Sequence, residues 1–157
     1  MDERLDQVPC GYVTMADNRI IQEVNATLCR MLGYEKRGMC GSSFESLLTR
    51  SSRIFFQFYF LPLIKLNRGV EEMYLTFKTS SGEALPVLLN ASAVERDGEW
   101  VYDCMLMPMR RRMEYEQQIQ QAESASNRAR EELERIENLL RQKRDELERI
   151  QGTSSME

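Results

Sequence analysis

The chain has 157 residues, 42% of them hydrophobic, and its 25 acidic and 21 basic side chains leave a net charge of -4. That length allows one domain with a single core and little more, and the charge balance argues against nucleic acid as a partner. The chain has no histidine, which removes the commonest general base, the Ser-His type of triad and the usual proximal haem ligand together.

Along the chain, Asp2 to Gln7 reads as a short helical lead-in. Cys10 to Met15 and Ile20 to Val24 read as two strands of a hairpin, joined by a turn at Ala16 to Arg19. Asn25 is suited to capping a helix over Ala26 to Leu32, and Gly33 stops it. Short helical pieces are predicted at Glu35 to Met39 and Ser43 to Leu48. The richer stretch Ser51 to Leu66 places Ile54, Phe55, Phe58, Tyr59, Pro62 and Leu66 on one helical face. Phe56, Phe60 and Leu63 lie off that face, so this helix is expected to be largely enclosed or to cover an opening, and Pro62 to break or kink it.

Three runs of period two follow. Met73, Leu75 and Phe77 alternate with Tyr74, Thr76 and Lys78. Leu85, Val87, Leu89, Ala91 and Ala93 alternate with Pro86, Leu88, Asn90, Ser92 and Val94. After an Asp97-Gly98 hairpin signal, Trp100, Tyr102, Cys104 and Leu106 alternate with Val101, Asp103, Met105 and Met107. Two strands, several helices and three strands make an antiparallel sheet with a helical insert, an α+β domain. Periodicity does not say which strand face looks inward.

Beyond Pro108 the texture changes to a heptad seam. Ile119, Ala122, Ser126, Ala129, Leu133, Ile136, Leu140, Lys143, Leu147 and Ile150 follow at alternating steps of three and four. The larger members, Ile119, Leu133, Ile136, Leu140, Leu147 and Ile150, are the predicted dimerisation residues. Parallel pairing is preferred because it sets two identical domains side by side, with antiparallel pairing left open. Charge pairs such as Glu131 with Arg135 and Glu137 with Arg141 have the spacing that supports a single helix.

The order of elements, with Pro9-Cys10-Gly11-Tyr12, Val24 to Tyr34, Gly41-Ser42-Ser43-Phe44 and the two hairpins at Thr79 to Pro86 and Ala93 to Tyr102, resembles a PAS domain. The resemblance implies a five-stranded antiparallel sheet followed by a signalling helix. The expected division is a lead-in at 1–8, a PAS sensor domain at 9–109, a coiled coil at 110–151 and a disordered tail at 152–157. Phe55 to Phe77 and Glu83 to Asn90 carry a narrower likeness to the PAS regions of sigma-B-pathway energy-stress phosphatases and of related sensor phosphatases, histidine kinases and diguanylate cyclases. In that family a catalytic domain follows the coiled coil. None lies within these residues, so the chain is expected to be a truncated or stand-alone regulator.

PAS domains hold a small molecule or cofactor between sheet and helices. A light-oxygen-voltage flavin site needs an Asn-Cys-Arg-Phe-Leu-Gln signature, and Gly41 to Leu48 occupies that stretch without it. Haem lacks an axial histidine. The remaining expectation is an apolar pocket for an unidentified small ligand, with Phe55, Phe58, Tyr59, Leu89, Met105 and Met107 as walls and Asn90 as the polar contact. Cys10, Cys29, Cys40 and Cys104 are widely spaced, with no C-x-x-C pair and no metal expected, and read as free thiols in a reducing cytoplasm. No apolar run approaches a membrane span, and no nucleophile has a base to activate it. The expectation is therefore a cytoplasmic, non-enzymatic, homodimeric sensor for stress signalling that takes a small ligand or protein partner and regulates a catalytic output. The alternative is a ligand-free PAS dimerisation or scaffold module.

Overall fold

Alternation and turn chemistry translate into strands and hairpins in the predicted order. The computed structural model describes residues 1–155, and they divide into two units, Met1–Arg111 and the helical segment from Arg112 onward. In the first, α1 (Glu3–Asp6), β1 (Gly11–Ala16), β2 (Ile21–Val24), α2 (Ala26–Leu32) and α3 (Lys36–Met39) precede a 3-10 turn at Phe44–Leu47. Then come α4 (Arg50–Phe55), a π turn (Phe56–Phe60), α5 (Leu61–Asn67), β3 (Gly69–Lys78), β4 (Ala84–Arg96) and β5 (Glu99–Pro108). The strands form one antiparallel sheet in the order β2-β1-β5-β4-β3.

Asn25 joins the beginning of this unit to its sheet. Its side chain is fully buried. Oδ1 accepts from the N–H groups of Leu28, which caps α2, and of Tyr12 in β1, both at 2.9 Å. Nδ2 donates to the carbonyls of Leu5 and Cys10 at 2.9 and 3.0 Å. The whole capacity of the amide is used, so burial leaves no polar atom unsatisfied. Gly33 ends α2 in the left-handed region at φ 76°, and a Cβ there would lie 2.3 Å from Ser80 Oγ. Asp97 and Gly98 both take positive φ, 53° and 81°, as the tight β4–β5 turn requires.

The stretch expected to break or kink at Pro62 does not break and runs as one helical course from Arg50 to Asn67. The accommodation is the π turn just ahead of the proline, closed by the Leu61 N–H on the Phe56 carbonyl. Proline clashes with the preceding turn of an α-helix, and a locally widened turn relieves that clash. It also straightens a stripe of residues four apart, which in an ideal α-helix would drift by about 40° per step. Ser52, Phe56, Phe60 and Ile64 are the buried stripe. The expectation of an enclosed helix is therefore corrected: Ile54, Phe55, Phe58, Tyr59, Leu63 and Leu66 all face outward.

The core lies between these helices and one face of the sheet. Met73, Leu75 and Phe77, Leu85, Val87 and Leu89, and Tyr102, Cys104 and Leu106 are buried on it. The second unit continues α6 (Arg110–Ser154), a helix of 45 residues with no buried side chain. It runs past the expected end at Gln151 through Gly152 and Thr153, whose hydroxyl donates to the Arg149 and Ile150 carbonyls. Helix is thus found for the first part of the tail expected to be disordered, and Met156 and Glu157 lie outside the described residues. Ion pairs form along it between Arg112 and Glu116 at 3.1 Å, Arg135 and Glu132 at 3.4 Å and Lys143 and Glu146 at 3.1 Å. They sit near, but not at, the pairs that spacing alone suggested.

Candidate functional site

The seven side chains expected to wall one pocket are distributed over the interior and two separate surfaces. The register decides this for the sheet. Leu89 lies opposite Leu106, and both are buried. Asn90 lies opposite Met105 and Leu88 opposite Met107, so Asn90, Met105 and Met107 belong to the other face, which carries no helix of the core. For the helix, the π turn sets the phase, and Phe55, Phe58 and Tyr59 point away from the sheet, with Phe58 71% exposed.

The space between helices and sheet is occupied by a column of rings. Phe44 lies 5.2 Å from Phe56 and 5.6 Å from Phe77, centroid to centroid, the second pair edge to face. Phe56 stacks on Phe60 at 4.5 Å, and Phe60 meets Tyr102 edge to face at 6.3 Å. These distances fall within the range of favourable ring pairs. Tyr102 donates its hydroxyl to Asp17 in the β1–β2 turn. Burial, helped by that carboxylate, pushes its phenol up to about 12.

On the outer face of the sheet, a groove of about 780 Å³ is lined by Tyr12, Glu71, Glu72, Asn90, Asp103 and Met105 among others. Asn90 has a structural duty there. Its Oδ1 accepts from the Glu72 N–H at 2.6 Å, where β3 bulges between Val70 and Met73 and Glu72 takes a φ of 53°. The bulge removes that N–H from the ladder, and the Asn90 amide replaces the lost partner. Asp103 gathers a second network, accepting from Tyr12 Oη at 3.0 Å, Thr14 Oγ1 at 3.1 Å and Arg96 Nη1 at 3.0 Å. Burial above all, with Asp103 adding to it, raises the Tyr12 phenol, and Asp103 holds the Arg96 guanidinium more firmly protonated. One signal for this network was present in the sequence, an aspartate in the middle of a largely apolar strand.

On the helical side, Phe55 and Tyr59 stack at 4.5 Å. With Ser51, Ile54 and Phe58 they line a shallow depression of about 530 Å³. At the edge of this ridge Glu45 pairs with Arg19 Nε at 2.9 Å and accepts from Gln57 Nε2 at 2.7 Å, while Arg53 Nε donates to the Glu45 carbonyl at 3.2 Å. Burial raises the thiols of Cys29 and Cys104, which keeps both protonated. Among the described residues no group of three or more His, Cys, Asp or Glu side chains is placed to hold a metal ion. No helix among them is long and apolar enough to cross a membrane.

A family model described as PAS domain matches residues 9–104. The chain belongs to the PAS domain family. This PAS chain is 40% identical over 119 residues to the phosphoserine phosphatase RsbP of Bacillus subtilis (strain 168), a match covering 76% of the chain and 30% of that protein. The chain thus spans less than a third of the length of this curated relative. Among solved structures, an RNA-binding light-oxygen-voltage receptor matches with a TM-score of 0.65 at 16% identity, over 77% of this chain and 35% of that one. A PAS domain from Colwellia psychrerythraea matches with a TM-score of 0.63 at 10% identity, over 68% and 91%. The PAS domain of a LuxR-family regulator from Burkholderia thailandensis, solved in complex with ethanol, matches with a TM-score of 0.58 at 18% identity, over 69% and 98%. At these identities the structures establish the fold. The matched region is a sensory module of signalling proteins.

Proposed function

We propose that this chain is the sensory segment of a signalling protein with a phosphatase-type output, and that α6 pairs with a second copy in a parallel coiled coil that carries the state of the PAS domain. The observation that supports this most directly is the extent of the likeness to RsbP. At 119 residues it is longer than the unit Met1–Arg111, so it continues into α6. The helix itself argues for a partner. Ile119, Leu133, Ile136, Leu140, Leu147 and Ile150 are exposed along it, and their apolar area leaves water only against another chain, at roughly 25 cal/mol per Å². Met109 alone separates β5 from α6, and its N–H donates to the Pro86 carbonyl at 2.9 Å. A change in β5 therefore has a short covalent route to the first turn of the helix, and one in β4 reaches it through that hydrogen bond.

The input is a small apolar ligand or a protein partner, in a cytoplasmic setting and without flavin or haem. The ring column favours the second of these, because a ligand between sheet and helices would have to displace Phe56 or Phe60. The same filled core gives some support to a ligand-free scaffold, which would pair without transmitting anything. Sedimentation equilibrium should give a dimer for the chain and a monomer for Leu133→Asp, and a monomeric parent chain would end the pairing reading. Transmission is tested by replacing the matched region of RsbP with this chain. Inserting one heptad into α6 should preserve control of phosphoserine hydrolysis, and a five-residue insertion, which turns the seam by about 150° to nearly the opposite face, should abolish it. Equal control in both would leave only a scaffold.

A further inference from the structure

The outward ridge of α4, the π turn and α5 has a composition that its scaffold role does not explain. Phe58 is 71% and Leu66 81% exposed, with Ile54, Phe55 and Tyr59 beside them. A contiguous exposed apolar patch of this kind marks an interaction surface. The charges that the segment itself carries have one sign, with Glu45 at its flank and Asp17 paired to Lys65 at 3.7 Å. Between Ser46 and Val70 the chain carries Arg50, Arg53, Lys65 and Arg68 and not one acid, in a protein whose net charge is -4. All four are exposed. The ridge is also held ready: the π turn fixes its phase, Phe55 and Tyr59 support each other at 4.5 Å, and the clasp of Glu45 on Gln57 and Arg53 secures its flank.

We propose that this ridge is the docking surface for another protein, one that presents an apolar segment rimmed by carboxylates, and that this contact is the input of the sensory reading above, on which it rests. The apolar centre and the predominantly cationic rim match the usual division of an interface into a dry middle and a charged border that steers the encounter. A second copy of this chain fits poorly, because two ridges face to face would oppose Arg50 and Arg53 with their own kind. A flat lipid surface fits less well than a protruding side chain, because Ser51, Ile54, Phe55, Phe58 and Tyr59 enclose a depression of about 530 Å³.

The test uses the full chain against a random peptide-display library, with Phe58→Ser as the counter-target and vesicles of phosphatidylcholine and phosphatidylglycerol as a separate probe. Phe58 is mostly in water, so its replacement leaves the fold intact, as circular dichroism verifies. The expected result is enrichment of peptides with aromatic or leucine residues flanked by Asp and Glu, binding about thirtyfold more weakly to Phe58→Ser. No enrichment, or peptides that bind parent and variant equally, overturns the proposal. So does Phe58-dependent binding to the vesicles without peptide binding, or Phe58-dependent self-association of Leu133→Asp. A dimeric parent chain that selects no peptide would remove this docking site and leave the coiled-coil reading standing, whereas a monomer that selects acidic peptides would do the reverse.

Discussion

Phe56 and Phe60 form one stacked pair, and Phe55 and Tyr59 form another, one residue away on the same helical course and with the same 4.5 Å between centroids. The first pair is wholly buried in the ring column and the second stands in solvent. Residue type and spacing are nearly identical, so neither explains the difference. What separates them is the phase of the helix against the sheet, set where the π turn meets Pro62. Apolar side chains with the same local geometry can therefore serve stability on one side of a helix and recognition on the other.

The contrast can be broken first at its buried end. Phe60→Ala should cost about 3–5 kcal/mol, since it empties a site packed by Phe56 and Tyr102. Urea unfolding measures this, and a loss under 1 kcal/mol would mean that the column is not closely packed. Next to it, Asn90→Ala should cost about 0.5–1 kcal/mol by removing the partner of the Glu72 N–H at an exposed bulge that water can reach. Its signature is faster hydrogen exchange at Glu72 than at the neighbouring ladder residues. A loss of ligand or partner binding with unchanged exchange would return Asn90 to a recognition role.

Tyr102 sharpens the buried side through pH. Its folded phenol titrates near 12 against an ordinary value of 10, so the neutral form is favoured by folding. The stability linked to it is complete below pH 10 and is lost as pH rises through about 12. Tyr102→Phe should flatten the alkaline fall in stability over that window. Because Cys104 is raised by burial as well, the difference between parent and variant is the quantity to follow. An unchanged fall would show that Tyr102 does not carry it. The smallest effect is expected at the exposed pair, where Tyr59→Ser should change stability by about 0.5 kcal/mol or less. A loss several times larger would mean that this ring is covered within the folded chain.

Much of the fold was legible because local chemistry and tertiary context agree. Asn25 reads as a cap and caps α2, Gly33 reads as a stop and takes the left-handed conformation, and Asp97-Gly98 reads as a tight turn and makes one. The strand alternation correctly separated Leu89 from Asn90 but did not say which looked inward. Joining Leu89 with Met105 and Met107 in one wall crossed the sheet, and pairing register alone exposes that error. Pro62 was read by its usual effect on an α-helix, and the π turn that accommodates it has no short-range signature.

The amino-acid order by itself determined the strands, the turns, the long heptad helix and an α+β class, because these follow from periodicity and from the backbone preferences of single residues, while the PAS likeness rested on the resemblance of particular strings such as Val24 to Tyr34. Tertiary structure decided which face of each element became interior. That choice depends on contacts between residues far apart in the chain, such as Phe44 with Phe77 and Tyr102 with Asp17. It is also why the rings expected to wall a pocket stand outside, and their immediate neighbours fill the core.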